Sequence, residues 1–180
     1  RTLDIEILHT VEYFAQLIRE GKIRPRDHAP LTVTYHDPCH LGRLGERYVP
    51  WDGKGKKMWG QVNVPDPPKQ ILRGTTGIYE PPREILRSIP GIDFVEMERI
   101  REYAWCCGGG GGLSAMDDIK PFRMTVSGKK KVEQIRETGA TFVAAPCSNC
   151  KRQIQQLAEH YKMDVRVGGL HDVVSNAIVL

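Results

Sequence analysis

Apolar residues alternate between two periodicities along the chain, and each stretch predicts an element. Leu3, Ile7, Leu8, Val11, Phe14, Ala15 and Ile18 recur at helical spacing, and Gly21 closes that helix. Pro25 to Pro30 is a polar connector. The β-rich run Leu31 to Tyr35 predicts a short buried strand, which Pro38 ends by forcing Asp37 extended. Residues 43–80 change texture: Gly and Pro are dense, Trp51 and Trp59 appear, and Gly53 to Lys57 is basic. This stretch reads as a long insert loop. Within it Pro67 to Arg73 echoes Pro81 to Arg87, which predicts two short helices with Pro in the first turn. A helix over Pro82 to Ser88 and a strand over Ile92 to Met97 follow. A helix over Lys120 to Thr138 has Phe122, Val126, Val132 and Ile135 inward and stops at Gly139. Then come a strand from Thr141 to Ala145, a helix marked by Ile154, Leu157, Ala158 and Tyr161, a strand from Val165 to Val167, and a last helix from Leu170 to Leu180.

Strands alternate with helices, so the expected fold class is α/β: a parallel sheet flanked by helices, joined by right-handed crossovers and interrupted by the long Gly/Pro-rich insert. Cys39 and Cys147 fall just past the ends of two strands, and the adjacent pair Cys106 and Cys107 a little past a third. Parallel strands point the same way, so these loops gather at the carboxyl edge, where open α/β sheets place their ligands.

The five cysteines then carry the chemistry. An odd count makes a poor disulfide framework, and adjacent cysteines rarely bridge each other. Thiolates in such a set suit an iron–sulfur cluster or zinc, and a bare redox thiol is the third reading. A structural zinc site uses four ligands, so the fifth thiolate counts against zinc. The helix following Cys150 would direct its positive N-terminus at the site and favour thiolate. Glycines after Cys107 let the backbone approach a bulky core and offer N–H groups to sulfur. The run Gly108 to Gly112 does not fit a dinucleotide fingerprint, because Leu113 occupies the sixth position.

Smaller features narrow the picture. The formal net charge of +4 comes from scattered Lys and Arg without a recognition motif, so no nucleic-acid partner is expected. No apolar run spans a bilayer and no secretory leader is visible, so a cytoplasmic protein without direct membrane insertion is expected. His36 reads as a strand-end cap and His40 as a packing residue, with a donor to cluster sulfur or a proton source as the sharper alternative. Asp37 reads as a turn residue, Arg43 as a surface ion-pair member with steering of an anionic substrate as the sharper alternative, and Trp105 as a hydrophobic wall beside the cysteine pair.

Three segments together carry a resemblance: His36-Asp37-Pro38-Cys39-His40-Leu41-Gly42-Arg43, Trp105-Cys106-Cys107-Gly108-Gly109 and Ala145-Pro146-Cys147-Ser148-Asn149-Cys150. They resemble the cysteine-rich CCG domain of the B-type and D-type heterodisulfide reductase chains, the glycerol-3-phosphate dehydrogenase C subunit and lactate-utilisation proteins. The resemblance implies that Cys39, Cys106, Cys107, Cys147 and Cys150 ligate a non-cubane [4Fe-4S] cluster, with His40 and Gly108 beside it, and that these cysteines form the catalytic centre. It implies a redox enzyme acting on a disulfide or persulfide of a small molecule or small protein, fed by a ferredoxin-like or cytochrome b-like subunit. Attachment to the inner membrane face would come through such a partner. A pure electron-transfer module serving a quinone or flavin partner and a zinc-stabilised interaction domain remain as alternatives. Residues 40–105 separate Cys39 from Cys106, longer than the family usually shows. That length looks most like the D-type heterodisulfide reductase chain, including the catalytic subunit of the membrane complex associated with sulfite reductase. In this reading 1–180 is a single CCG domain, the C-terminal part of a longer protein.

Overall fold

The computed structural model describes residues 5–26 and 30–177. Its elements, in chain order, are α1 (Thr10–Arg19), β1 (Leu31–Tyr35), β2 (Lys54–Met58), β3 (Val62–Asp66), α2 (Glu80–Ser88), β4 (Ile92–Phe94), α3 (Lys120–Phe122), α4 (Lys129–Thr138), β5 (Phe142–Ala144), α5 (Ser148–His160), β6 (Arg166–Gly168) and α6 (Leu170–Ala177). Four strands form one sheet in the order β4-β1-β5-β6, and every pairing in it is parallel. The α/β architecture with helices on both faces is therefore as the hydrophobic pattern predicts.

The two faces of the sheet follow from the strand period. Val33, Tyr35 and Ala144 pack with Val11 and Ala15 of α1, Ile85 and Leu86 of α2, and Val173 and Val174 of α6. Val143 and Ala145 point the other way, onto Ile135 of α4 and Ile154 of α5. Leu157 and Val132 extend that second layer to Met124. Both faces are covered, which is why the strands read as apolar runs.

Ladder bonds continue past the formal strand ends. His36 N–H donates to the Ala144 carbonyl at 3.0 Å, and Ala145 N–H to Gly168 at 2.9 Å. The cysteine loops therefore leave the sheet from a fixed edge.

Four expectations are corrected. Helix α1 starts at Thr10, not near Leu3, because His9 caps it: His9 Nδ1 accepts from Val11 N–H and Glu12 returns a bond to the His9 N–H. Ile7 is left exposed, and Leu3 lies outside the described residues. The helix expected over Lys120 to Thr138 is broken by a π-turn at Arg123–Ser127. The extra residue per turn shifts the phase, so Arg123 and Met124 go inward while Phe122 and Val126 face solvent. The echo at Pro67 to Arg73 forms no helix, since Ile71 has nothing to pack on, whereas Ile85 and Leu86 are fully buried. Residues 54–66 form an antiparallel hairpin, where an unstructured loop was expected, with all ten strand residues exposed.

Candidate metal centre

Cysteine loops from three strands converge at the carboxyl edge. Cys39 follows β1 in a tight turn, where Gly42 N–H bonds the Pro38 carbonyl and Leu44 N–H bonds the Cys39 carbonyl. Cys106 and Cys107 follow β4 through a short helical turn at Arg101–Tyr103. Cys147 and Cys150 follow β5. Helix α5 begins at Ser148, so Cys147 is its N-cap and Cys150 lies in its first turn. Both cysteines thus meet the unpaired N–H groups and positive end of the helix, one turn earlier than expected.

Four of the sulfurs form a chain. Cys107 donates to Cys150 across 3.4 Å, and Cys106 neighbours both Cys39 and Cys107. All five cysteines are free thiols. Cys107 and Cys150 are buried, Cys39 and Cys147 are half-buried, and Cys106 is exposed. Cys147 packs against the buried cluster that contains Cys107 and Cys150, and it lines a cleft of about 330 Å³ with His9, Pro38, His40 and Leu41. His40 is exposed in that cleft.

Backbone and cations meet the sulfurs. Gly108 N–H donates to Cys106 Sγ at 3.4 Å. Gly108 has φ +84°, and a Cβ there would stand 2.6 Å from the Gly128 nitrogen, so no other residue fits. The Arg43 guanidinium lies 3.6 Å from Cys39 Sγ and also reaches the Glu102 carbonyl, so it faces a sulfur rather than making a surface ion pair. Trp105 is partly exposed, under Arg99, and does not seal the cysteine pair.

Neighbouring thiols shift the titration of Cys39 and Cys107. The bond from Cys39 to Cys106 pushes the Cys39 thiol far above its ordinary range, burial adds to this, and Arg43 opposes it. The bond from Cys106 pulls Cys107 down, but the Cys150 contact and burial outweigh it and raise Cys107 to about 12. These thiols hold their protons until a cation replaces them, as in metal binding that releases protons.

Three features went unrecognised in the sequence. His36 is fully buried with neither ring nitrogen hydrogen-bonded among the described residues, and a ring nitrogen, Cys107 Sγ and Cys150 Sγ lie within 4.8 Å of one another. Asp37 is no plain turn residue: it is buried and clamped bidentately by the fully buried Arg83 at 2.8 Å for both bonds. Lys131 is fully buried, its Nζ on Gln134 Oε1 and on the Sδ of Met97, which packs in one buried cluster with Cys107 and Cys150. Its spacing four residues before Ile135 placed it on the inward face, a signal masked by the Lys129 to Lys131 run.

The donor set can be tested for fit. Two thiolates on one tetrahedral metal, each bonded at about 2.3 Å, stand roughly 3.8 Å apart. The Cys107 and Cys150 sulfurs are near that spacing already. The soft donors, the glycine passage and the helix N-terminus all suit a thiolate-ligated metal.

The match to known proteins is specific over residues 70–155, which fit the family model described as "Cysteine-rich domain", CCG. The chain carries a CCG cysteine-rich domain. The matched residues include Cys106, Cys107, Cys147 and Cys150, and the fold adds Cys39 to them. The chain is 32% identical over 178 residues, 99% of its length and 35% of the relative's, to the D chain of the dihydromethanophenazine:CoB–CoM heterodisulfide reductase of Methanosarcina acetivorans. It is 34% identical over 145 residues, 81% of its length and 16% of the relative's, to a probable iron-sulfur-binding oxidoreductase of Bacillus subtilis. It is 28% identical over 181 residues, 96% of its length and 26% of the relative's, to the Hdr-like menaquinol oxidoreductase iron-sulfur subunit 2 of Archaeoglobus fulgidus. The chain spans about a third of the length of the heterodisulfide reductase relatives it matches. Relatives and site together support an iron–sulfur redox role for the CCG domain. No helix among the described residues is long and apolar enough to cross a membrane.

Proposed function

We propose that Cys39, Cys106, Cys107, Cys147 and Cys150 hold a [4Fe-4S] cluster of the non-cubane type, and that the domain serves reductive cleavage of a disulfide or persulfide. The observation that carries this reading is the chain of four thiols drawn from three strand-end loops, with the fifth cysteine on the adjoining helix cap. When bound, the cluster supplies one-electron redox chemistry and iron able to take substrate sulfur. Cleavage of RSSR to two RSH consumes two electrons and two protons, so a separate electron donor, ferredoxin-like or cytochrome b-like, feeds the domain twice per turnover.

The chain's own residues divide the work. Cys107 and Cys150 anchor the buried side, while Cys39 and Cys106 bound the open side that a small disulfide reaches. Gly108 N–H and the Arg43 guanidinium stabilise negative charge on Cys106 and Cys39. His40 and Cys147 border the neighbouring cleft. The whole of 1–180 acts as one CCG domain with 43–80 as its insert, in the cytoplasm or at the inner membrane face through a partner.

The second reading is an electron relay to a quinone or flavin partner, favoured by the relative whose name specifies a menaquinol oxidoreductase. A disulfide that perturbs the cluster's EPR signal selects the enzyme over the relay. Anaerobic purification should yield about four irons with acid-labile sulfide per chain. Cys106→Ser and Cys147→Ser should each lose cluster and turnover together. One zinc without sulfide, or an active Cys147→Ser variant with normal iron, overturns the proposal.

A further inference from the structure

Three cations are buried among the described residues, and they differ in what neutralises them. Arg83 has two carboxylates, Asp37 and Glu96. Arg123 is held by the carboxamides of Gln153 and Gln156. Lys131, with no exposed surface, has one carboxamide oxygen at 2.9 Å and a thioether sulfur at 3.4 Å. A buried ammonium without a counter-ion is costly, and the ordinary response is to lose its proton. Burial accordingly brings Lys131 down to about 8, against the opposing fields of Asp37, Cys107, Cys106 and Cys150.

The anion that Lys131 faces is therefore informative. Asp37 is already taken by Arg83 and by the Arg101 N–H. His36, whose ring lies against Cys107 and Cys150, offers no carboxylate and so no counter-ion. What remains is the thiol set, which becomes anionic only when a metal centre displaces its protons. Building on the cluster reading above, we propose that Lys131 is a positioning residue: its buried ammonium is the counter-charge of the cysteine-ligated centre, and it raises the centre's reduction potential. Each electron added to the centre adds negative charge, and a fixed cation on Met97, within the cluster that holds Cys107 and Cys150, favours that state electrostatically. Lys131 thereby spends stability in the metal-free fold and returns it when the thiolates form.

The test compares wild type, Lys131→Met and Lys131→Arg in the full chain, purified without oxygen. Iron and sulfide are counted, and the midpoint potential is read by EPR-monitored titration. Lys131→Met should shift the reduction equilibrium at least tenfold toward the oxidised form, equivalent to about 59 mV for one electron. Lys131→Arg should restore it. Loss of iron in Lys131→Met with retention in Lys131→Arg also supports the proposal. The metal-free Lys131→Met protein should melt no lower than wild type, because an apolar chain replaces an unpaired charge. An unchanged potential at full iron content overturns the proposal, as does equal iron loss in both variants or a lower melt of the metal-free Met form. A wild type that holds no iron sinks the cluster reading itself, and this inference with it.

Discussion

Replacing Arg83 by Met is the sharpest test of how the fold holds its first cysteine. Arg83 has no exposed surface, and its guanidinium uses every nitrogen: two bonds of 2.8 Å to Asp37, bonds of 2.7 and 3.1 Å to Glu96, and one of 2.8 Å to the Tyr79 carbonyl. The two carboxylates do not weigh equally. The Glu96 side chain is 26% exposed and has Arg87 at 3.5 Å, so it can turn to water at little cost. The Asp37 side chain is 4% exposed and would keep only the Arg101 N–H. Removing one partner of a buried ion pair costs about 3–5 kcal/mol, most of it from the carboxylate left behind. For a chain of this size that corresponds to a fall in Tm of roughly 6–20 °C. Urea unfolding of the metal-free proteins, followed by far-UV circular dichroism without oxygen, measures it. The double variant Asp37→Asn with Arg83→Met should recover a large part of the loss, because no charge remains to be stranded. A loss under about 1 kcal/mol, or a double variant no better than the single, would refute the assignment of the cost to Asp37.

Three further predictions rest on other features. His36 is held well below its ordinary pKa by burial, then by the charges of Lys131 and Arg43, so the native state refuses a proton that the unfolded chain accepts. Stability should therefore fall as the pH drops below about 6.5, with His36 contributing about 1.4 kcal/mol per unit, and His36→Gln should flatten the curve by that slope in paired urea titrations; parallel curves would contradict it. Gly108→Ala forces a side chain into φ +84° and against Gly128, so iron retained after anaerobic reconstitution should drop sharply, and full retention would show that the loop adapts. Replacing residues 54–66 by a short turn should lower Tm by less than about 4 °C, the equivalent of about 1 kcal/mol, since the hairpin buries none of its strand side chains; a larger fall in a thermal melt would mean that it braces the domain.

The cysteine loops were legible because strand termini are legible. Short β-rich runs ending in Pro38 or Pro146 mark where the chain leaves the sheet, and parallel order does the gathering. Element phase was less so: nothing in the composition of Arg123–Ser127 announces a π-turn, and with it went the inward assignment of Phe122 and Val126. The hairpin at residues 54–66 was missed because its strands are rich in Lys and broken by Gly55 and Pro65, residues that disfavour strands. Buried charges were the hardest to foresee. Arg83 and Lys131 sit among exposed charged neighbours on short helices, and only tertiary packing distinguishes them from solvated residues.

The uneven covering of the five sulfurs carries a vulnerability. Cys106, the most exposed thiol, has the Gly108 N–H on its sulfur, while Cys107 and Cys150 lie beneath it. An approach that admits a reducible sulfur compound admits dioxygen and peroxide by the same door. Oxidative damage should thus start at Cys106, climbing from sulfenic toward sulfinic acid, before it reaches the inner pair.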